Sequence, residues 1–283
     1  MHTKNNFTPK SLGPIAALLL TTLYANNRPV FHFREAQEIL GERSVTANAL
    51  AQLTRHGIVM RLKGGTFRII PFELGFENEY LGNPYVVARE LTLGTQSGTQ
   101  NDYYLSHSSA FELHQMVTQP PLVIYVSSLK MIRPRIISGT EFRFVKCKPG
   151  DLFGLMDMWV DKNEKICVSD LERTLLDGLK LPSYCGGIIE VSKAFSIKHD
   201  HIDPQKIVDY AMRLNIGAVF RRLGYLMELY KIGDQIHWDY LRTKLTNTYQ
   251  LFDPDLPREG HHTIKWRLRL NISEDELIAI RGT

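Results

Sequence analysis

Cysteine is scarce in this 283-residue chain. Its three cysteines, Cys147, Cys167 and Cys185, are widely spaced and form neither a C-x-x-C pair nor an even set of disulfide partners. We therefore expect a protein of the reducing cytoplasm. With 43% hydrophobic residues, the chain is long enough for two domains that each bury their own core.

Long hydrophobic runs are also absent. The segment that most resembles a leader or a membrane span, residues 12–25, is only about 14 residues long and is interrupted by Gly13, Pro14 and Thr21. A membrane-spanning helix needs roughly 20 apolar residues. We therefore predict that this segment is a buried core helix and that the protein has no membrane partner.

Familiar catalytic motifs are missing as well: the chain has no P-loop, no G-x-G-x-x-G, no H-E-x-x-H and no G-x-S-x-G. Asp157, Asp161 and Glu164 suggest a metal-dependent nuclease, but they fall on a predicted hairpin and are better explained as a solvated turn. His261 and His262 are neighbours in an extended segment, so they point to opposite sides and do not easily share a metal. We expect no enzymatic activity, no cofactor and no metal.

The charge that is present is unevenly distributed. Residues 1–70 contain nine Lys or Arg against three acids, a net charge of +6, whereas the remainder has 25 against 27, a net charge of −2. A basic module on a nearly neutral body is typical of a protein whose one end meets phosphate.

Three helices are predicted at the amino terminus. Residues at helical spacing predict the first helix in residues 12–25, with a core-facing set of Ile15, Leu18, Leu19, Thr22 and Leu23. A second helix is predicted in residues 33–40 and is closed by Gly41. Ser44 is a suitable N-cap for a third helix that runs to about residue 56.

A hairpin follows the helices. Residues 58–62 and 66–70 are rich in branched side chains and are joined by Lys63, Gly64 and Gly65. Three helices followed by a basic hairpin predict a winged helix-turn-helix, in domain 1–78, that binds double-stranded DNA. The alternative is a dimerisation or docking module of the same shape.

The residues predicted to contact DNA lie on the third helix and the wing. Asn48 and Gln52 suit adenine, and Arg55 suits guanine or phosphate, although each also fits a solvated helix face. The full set is Ser44, Thr46, Asn48, Gln52, Arg55, Arg61, Lys63 and Arg68.

Residues 79–283 predict a larger mixed α/β domain, so that the expected fold class is α+β. Ser169 and Glu172 are predicted to form a capping box, and Asp203 precedes Pro204 at another helix start. The predicted elements are helices at 84–93, 169–179, 204–214, 216–231 and 238–247, a strand and helix at 103–116, strands within 122–168, and a strand at 265–271.

A second basic patch lies near the carboxyl terminus. It predicts another nucleic-acid contact or, alternatively, the solvated face of a half-exposed strand. Its members are Arg258, His261, His262, Lys265, Arg267 and Arg269.

Four segments of the chain resemble the AbiEi family, the antitoxin components of type IV toxin–antitoxin and phage abortive-infection systems. They are ANALAQLTRHGIVMRLKGGTFR (47–68), YLSHSSAFELH (104–114), VSDLERTLLDGLKLPSYCGGIIE (168–190) and DPDLPREGHHTIKWRLR (253–269).

The resemblance implies a winged repressor domain joined to a larger antitoxin domain, promoter binding at inverted repeats, and negative autoregulation. It also implies a nucleotidyltransferase-like toxin as the functional partner. We therefore expect a cytoplasmic antitoxin and autorepressor that takes part in antiviral defence. The alternatives are an enzymatic neutraliser of the toxin, nuclease or kinase-like, and an inhibitor that binds the toxin directly.

Overall fold

A computed structural model describes residues 12–26, 28–71, 81–93, 102–117, 119–161 and 164–279. The chain divides into two compact units, Met1–Asn83 with Leu93–Ser97 and Pro84–Thr92 with Gly98–Thr283. The predicted domain boundary at residue 78 lies outside the described residues.

The first unit contains three helices and three short strands among its described residues. They are α1 (Pro14–Ala25), β1 (Val30–His32), α2 (Phe33–Leu40), α3 (Arg43–Arg55), β2 (Val59–Lys63) and β3 (Thr66–Ile69). The strands pair antiparallel in the order β1-β3-β2. This element order and pairing are those of a winged helix, as predicted.

Strand β1 is an element that the sequence analysis missed, because three residues are too short for a recognisable alternation. Its Phe31 lies opposite Phe67 of β3, and the two rings stack 5.8 Å apart in the core. Buried residues of all three helices pack in the same core; they include Leu19, Leu20 and Leu23 of α1, Ala36 of α2, and Leu50 and Leu53 of α3.

Helix α1 forms as predicted, and Leu19 and Leu23 of its predicted apolar set are buried, but the rest of its buried face is different. Ala16 and Leu20 are buried, whereas Ile15 and Leu18 are 46% and 53% exposed. Both sets satisfy helical spacing, so the apolar pattern alone could not select the face that packs against α2 and α3. The prediction that Ile15 and Leu18 face the core is wrong.

The second unit is mixed α/β. Its helices in the described residues are α4 (Pro84–Leu93), α5 (His107–Leu113), α6 (Leu171–Lys180), α7 (Ile188–Lys198), α8 (Pro204–Leu214), α9 (Gly217–Leu229), α10 (Gln235–Arg242) and α11 (Glu274–Ala279). Its strands there are β4 (Tyr103–Leu105), β5 (Val123–Ser128), β6 (Arg135–Ile137), β7 (Thr140–Lys146), β8 (Leu155–Asp161), β9 (Glu164–Ser169), β10 (Gln250–Leu251), β11 (His261–Thr263) and β12 (Leu268–Leu270). Helices and strands together confirm the predicted α+β class.

The larger sheet of this unit runs in the order β6-β7-β5-β4-β9-β8. The pairs β5·β7 and β4·β9 are parallel, and the other neighbours are antiparallel. A smaller sheet has the order β10-β12-β11. The helical core centres on α6 and α9, whose Leu175, Leu179, Leu223 and Leu226 are fully buried.

The start of α6 differs from the prediction. Asp170, not Ser169, is the N-cap, and its carboxylate accepts a hydrogen bond from the Arg173 amide at 2.9 Å. Ser169 ends β9 instead, and its hydroxyl is 2.7 Å from that of Thr174. A strand that runs directly into a helix shifts the cap by one residue. Asp203 caps α8 ahead of Pro204, as predicted.

None of the helices in the described ranges is both long and apolar enough to cross a membrane.

Candidate nucleic-acid interface

Helix α3 presents a polar stripe to solvent. Ser44, Asn48, Gln52 and Arg55 are all exposed and follow one another at spacings of four, four and three residues. Residues at these spacings share one helix face, here over about 17 Å of helix length at 1.5 Å per residue. Ala47 and Ala51 are also exposed, and their small side chains let the backbone approach another surface closely.

The opposite face of α3 holds the helix in place. Ala49, Leu50 and Leu53 are buried, as predicted. Thr46 is also fully buried, and its hydroxyl donates to the Glu42 carbonyl at 2.9 Å. The prediction that Thr46 faces outward and contacts DNA is therefore wrong, because the packed face of the helix is wider than the apolar residues alone indicated.

The N-cap of α3 also differs from the prediction. Glu42 occupies the N-cap position without a side-chain cap bond, and Ser44 lies inside the first turn. The Ser44 hydroxyl donates to the Glu42 carboxylate at 3.5 Å. The preceding turn depends on Gly41, whose φ of 85° is a conformation that glycine adopts without strain. Ser44 is thus a surface residue of the stripe and not a cap.

The wing places two of its three predicted basic residues near solvent. Arg61 is exposed and its Nε donates to the Lys63 carbonyl at 3.4 Å, and Lys63 itself is half-buried. Arg68 is only 7% exposed, and its guanidinium lies so close to Gly82 that a β-carbon there would clash with it. Arg68 lies on the central strand of the sheet, which explains its burial, and the prediction that it faces outward with the wing is wrong.

Charge on this unit is mostly positive near α3. Arg43 begins the helix and is exposed, and sequence reasoning did not single it out although it lies at the start of an acid-free stretch, residues 43–71. Glu38 and Glu42 are exposed at the end of α2 and before α3. Glu35 pairs with Arg28 at 2.6 Å. The exposed charged side chains from the first turn of α3 to the wing are therefore all positive.

A shallow groove of about 250 Å³ lies between the start of α1 and α3. Asn48 and Gln52 line it on one side and Ile15 on the other. Ile15, which the sequence analysis had assigned to the core, is therefore exposed and borders the polar stripe.

The residues of the second basic patch fall into two groups that make different contacts. Lys265 pairs with Glu228, and Arg267 packs 5.6 Å from the Tyr249 ring. Arg258 and Arg269 line a separate cavity together with His262. His261 is exposed beside them on β11.

Two of the AbiEi-like segments meet inside the second unit. Leu105 of β4 pairs with Val168 of β9, which brings residues 104–114 beside residues 168–190. Arg173 bonds the Asp177 carboxylate at 3.0 Å and the Tyr104 hydroxyl at 2.8 Å, and all three side chains are buried. These polar residues satisfy one another, which is what buried polar groups require.

The pKa values of this buried network follow from its surroundings. Burial, with Asp177 adding to it, raises the pKa of Tyr104 well above its usual range. Burial acts to lower the pKa of Arg173, but Asp177 and Tyr104 together outweigh it and the pKa is raised. Arg173 thus stays charged and Tyr104 stays neutral.

His107 is a further buried titratable group in the same segment. Its ring lies 5.3 Å from that of Tyr184, and its Nδ1 is 2.8 Å from the Ser106 hydroxyl. Burial is the main reason that its pKa is lowered to about 4. The ring is therefore neutral near pH 7.

The acidic residues of the β8–β9 hairpin do not gather into a metal site. Asp161 and Glu164 are paired in the strand register, and Glu164 forms an ion pair with Arg89 at 2.7 Å. No group of three or more potential metal ligands occurs within the described ranges.

Comparisons with known proteins identify a fold and no family. No family model matches the chain, and no curated protein matches it. Among solved structures, the crystal structure of the RV2827C protein from Mycobacterium tuberculosis is similar, with a TM-score of 0.71 and 15% sequence identity over 97% of each chain. A likeness at this identity supports the architecture of the chain and carries no function with it.

Proposed function

We propose that the first unit binds double-stranded DNA sequence-specifically, with α3 in the major groove and the wing against the flanking backbone. The observation that carries the proposal is the polar stripe of Ser44, Asn48, Gln52 and Arg55 on an otherwise packed helix. A major groove about 12 Å wide accepts one α-helix, and amide side chains such as those of Asn48 and Gln52 pair with adenine edges.

The surroundings of the stripe support the same proposal. Arg43 at the start of α3, with Arg61 and Lys63 on the wing, adds positive charge to the same unit. Such side chains neutralise phosphates and fix the orientation of the protein without reading bases. Ile15, exposed beside Asn48 and Gln52, adds an apolar surface of the kind that contacts thymine methyl groups.

We further propose that the protein is the antitoxin and autorepressor of a type IV toxin–antitoxin operon in the cytoplasm. This step rests on the resemblance of four segments to the AbiEi family, one of which contains the polar stripe and the wing. In this proposal the first unit represses the operon at inverted repeats. The second unit opposes a nucleotidyltransferase-like toxin without enzymatic activity of its own.

A nuclease footprint of the full chain on the DNA upstream of its own gene tests the proposal. We expect two protected half-sites in inverted orientation, because inverted repeats are read by two copies of one binding unit. Asn48→Ala and Gln52→Ala should each weaken protection, whereas Gln235→Ala on α10 of the second unit should not. Uniform protection of unrelated DNA with equal affinity would rule out sequence-specific repression.

The antitoxin role has its own test. The proposal predicts a nucleotidyltransferase-like toxin encoded in the same operon, and co-expression of the chain with it should restore the growth of cells that the toxin alone arrests. Rescue by the double variant Asn48→Ala, Gln52→Ala from an independent promoter would separate antitoxin activity from DNA binding. Growth arrest that persists despite expression of the folded chain would contradict the antitoxin role and leave the DNA-binding proposal in place.

A further inference from the structure

A cavity of about 460 Å³ lies against the small sheet of the second unit. Its lining includes Arg222, Arg258, Arg269, His262 and Tyr249. Three arginines and a histidine thus surround one space, and Asp and Glu side chains are not among the residues that line it in the described part of the chain.

The fold itself brings these side chains together. His262 of β11 lies directly opposite Arg269 of β12 in the antiparallel register, so their side chains project to the same face of the sheet. Arg258 comes from the loop before β11, and Arg222 reaches the site from α9. This loop depends on Gly260, which has a φ of 85° and lies so close to the Leu270 carbonyl that a β-carbon would not fit.

Arg222 is held rigidly. Its Nε donates to the Phe252 carbonyl at 2.9 Å, its Nη1 to the Leu179 carbonyl at 2.7 Å and its Nη2 to the Leu251 carbonyl at 3.2 Å. Carbonyl acceptors orient a guanidinium but do not neutralise its charge. Burial lowers the pKa of Arg222 to about 10 although Asp253 and Asp255 act in the opposite direction, so the group remains charged near pH 7.

Arg258 and Arg269 are different, because neither side chain has a polar partner within the described ranges. The Nε atom of Arg269 is shielded from solvent and still makes no hydrogen bond there. The nearby carboxylate of Asp253 is itself buried and accepts a hydrogen bond from the Asp255 amide at 2.9 Å. Leaving a shielded guanidinium donor unmatched is unfavourable, so an anionic acceptor in the cavity would stabilise it.

We propose that this cavity binds a small phosphate-bearing anion, with Arg258 and Arg269 as its direct ligands and Arg222 as a fixed positive charge behind them. Guanidinium groups match phosphate oxygens in pairs, which makes arginine the usual residue for such recognition. A volume of about 460 Å³ is typical of a pocket for a small molecule. The concave shape favours a free phosphorylated compound of nucleotide size over a nucleic-acid strand, and the site is independent of the α3 interface.

Isothermal titration calorimetry of the full chain at fixed salt, with inorganic pyrophosphate and with adenosine triphosphate, tests this proposal. The wild-type protein should bind at least one of them with one site per chain. Arg258→Gln and Arg269→Gln should each weaken that binding about tenfold, the usual effect of losing one charge-assisted hydrogen bond. Unchanged circular dichroism and melting temperature without ligand would show that both variants fold.

Two controls separate this site from other positive surfaces. Lys244→Gln removes an exposed cation from the same unit, and Arg61→Gln removes an exposed cation from the wing. Both should keep the wild-type affinity for pyrophosphate or adenosine triphosphate. If DNA binding fails but this pattern holds, the cavity proposal stands without the proposed DNA-binding function.

The proposal is overturned if neither compound binds at millimolar concentration. It is also overturned if Arg258→Gln and Arg269→Gln both bind like wild type. Binding of a single-stranded oligonucleotide that these two substitutions abolish, without binding of either small anion, would assign the patch to nucleic acid instead.

Discussion

If the first unit binds DNA as proposed, the salt dependence of that binding will distinguish arginines that contact phosphate from an arginine that supports the fold. The structure exposes Arg55 on α3 and buries Arg68 on β3, although both belong to the same basic segment of the sequence. We therefore expect Arg55→Gln to change the electrostatic part of DNA binding and Arg68→Met to change stability.

The magnitude follows from the number of cations on α3 and the wing that reach the surface. Arg43, Arg55, Arg61 and Lys63 would neutralise four phosphates for each bound chain. With a slope of about −0.9 in log K against log salt for each phosphate, affinity should fall about 150-fold between roughly 50 and 200 mM salt. After Arg55→Gln three contacts remain, and the loss should be about 40-fold.

Fluorescence anisotropy with a labelled duplex of the upstream region measures these slopes. Arg68→Met should keep the wild-type slope and lower the free energy of unfolding in urea by about 1 kcal/mol, a typical cost for disturbing a packed position. Lys244→Gln in the second unit is the matched control, and its slope should be unchanged. A slope that flattens with Arg68→Met and not with Arg55→Gln would refute the proposed orientation of α3 and the wing.

Three further predictions concern single residues. Gln52→Ala should reduce discrimination at one base position by about 1–3 kcal/mol, measured by competition with single-base variants of the site; equal losses on all sequences would contradict a base contact. Asp177→Asn should lower the free energy of unfolding in urea by about 3–5 kcal/mol, because it leaves the buried charge of Arg173 unpaired. Glu141→Gln removes one partner of a much more solvent-exposed ion pair, with Arg143, and should cost less than about 1 kcal/mol; similar costs for the two substitutions would contradict this account. Since His107 has a native pKa of about 4 and an unfolded value near 6.5, the unfolded chain takes up its proton first, and stability should fall as the pH drops through this interval. His107→Asn, which tolerates the local φ of 52°, should reduce that fall in urea titrations at pH 7 and 4.5; an unchanged pH dependence would show that the ring is not buried in its neutral form.

Two of the AbiEi-like segments of the second unit, residues 104–114 and 168–190, contribute buried polar residues to the packing of the fold. Tyr104, Arg173 and Asp177 come from two such segments and bond to one another away from solvent. Residues of this kind specify how β4 and α6 pack. The segment at residues 253–269 differs, because it contributes Arg258, His262 and Arg269 to a cavity. We therefore expect ligand chemistry there rather than at the Arg173 network.

Local signals in the sequence were sufficient to place many elements. Gly41 ended α2 where predicted, Pro204 began α8 after the Asp203 cap, and the glycines after Lys63 joined β2 to β3. These signals act through backbone conformations of a few residues, so they do not depend on the rest of the fold.

Other features depended on contacts between distant residues. The N-cap of α6 is Asp170 and not the predicted Ser169, because Ser169 is still part of strand β9. Strands β10 and β11 were missed because each has only two or three residues and gains its partner only from β12. Short strands have little pattern of their own, and their pairing is decided by the register of the neighbour.

The sequence by itself determined the class of this protein, a basic winged module followed by a mixed α/β body, because composition, periodicity and turn residues are local properties. Only the tertiary structure decided which polar residues are available for function. It buried Thr46 and Arg68, exposed Ile15, and collected Arg258 and Arg269 around one cavity. The physical reason is that burial and proximity are set by the packing of whole elements against one another, which no stretch of sequence contains.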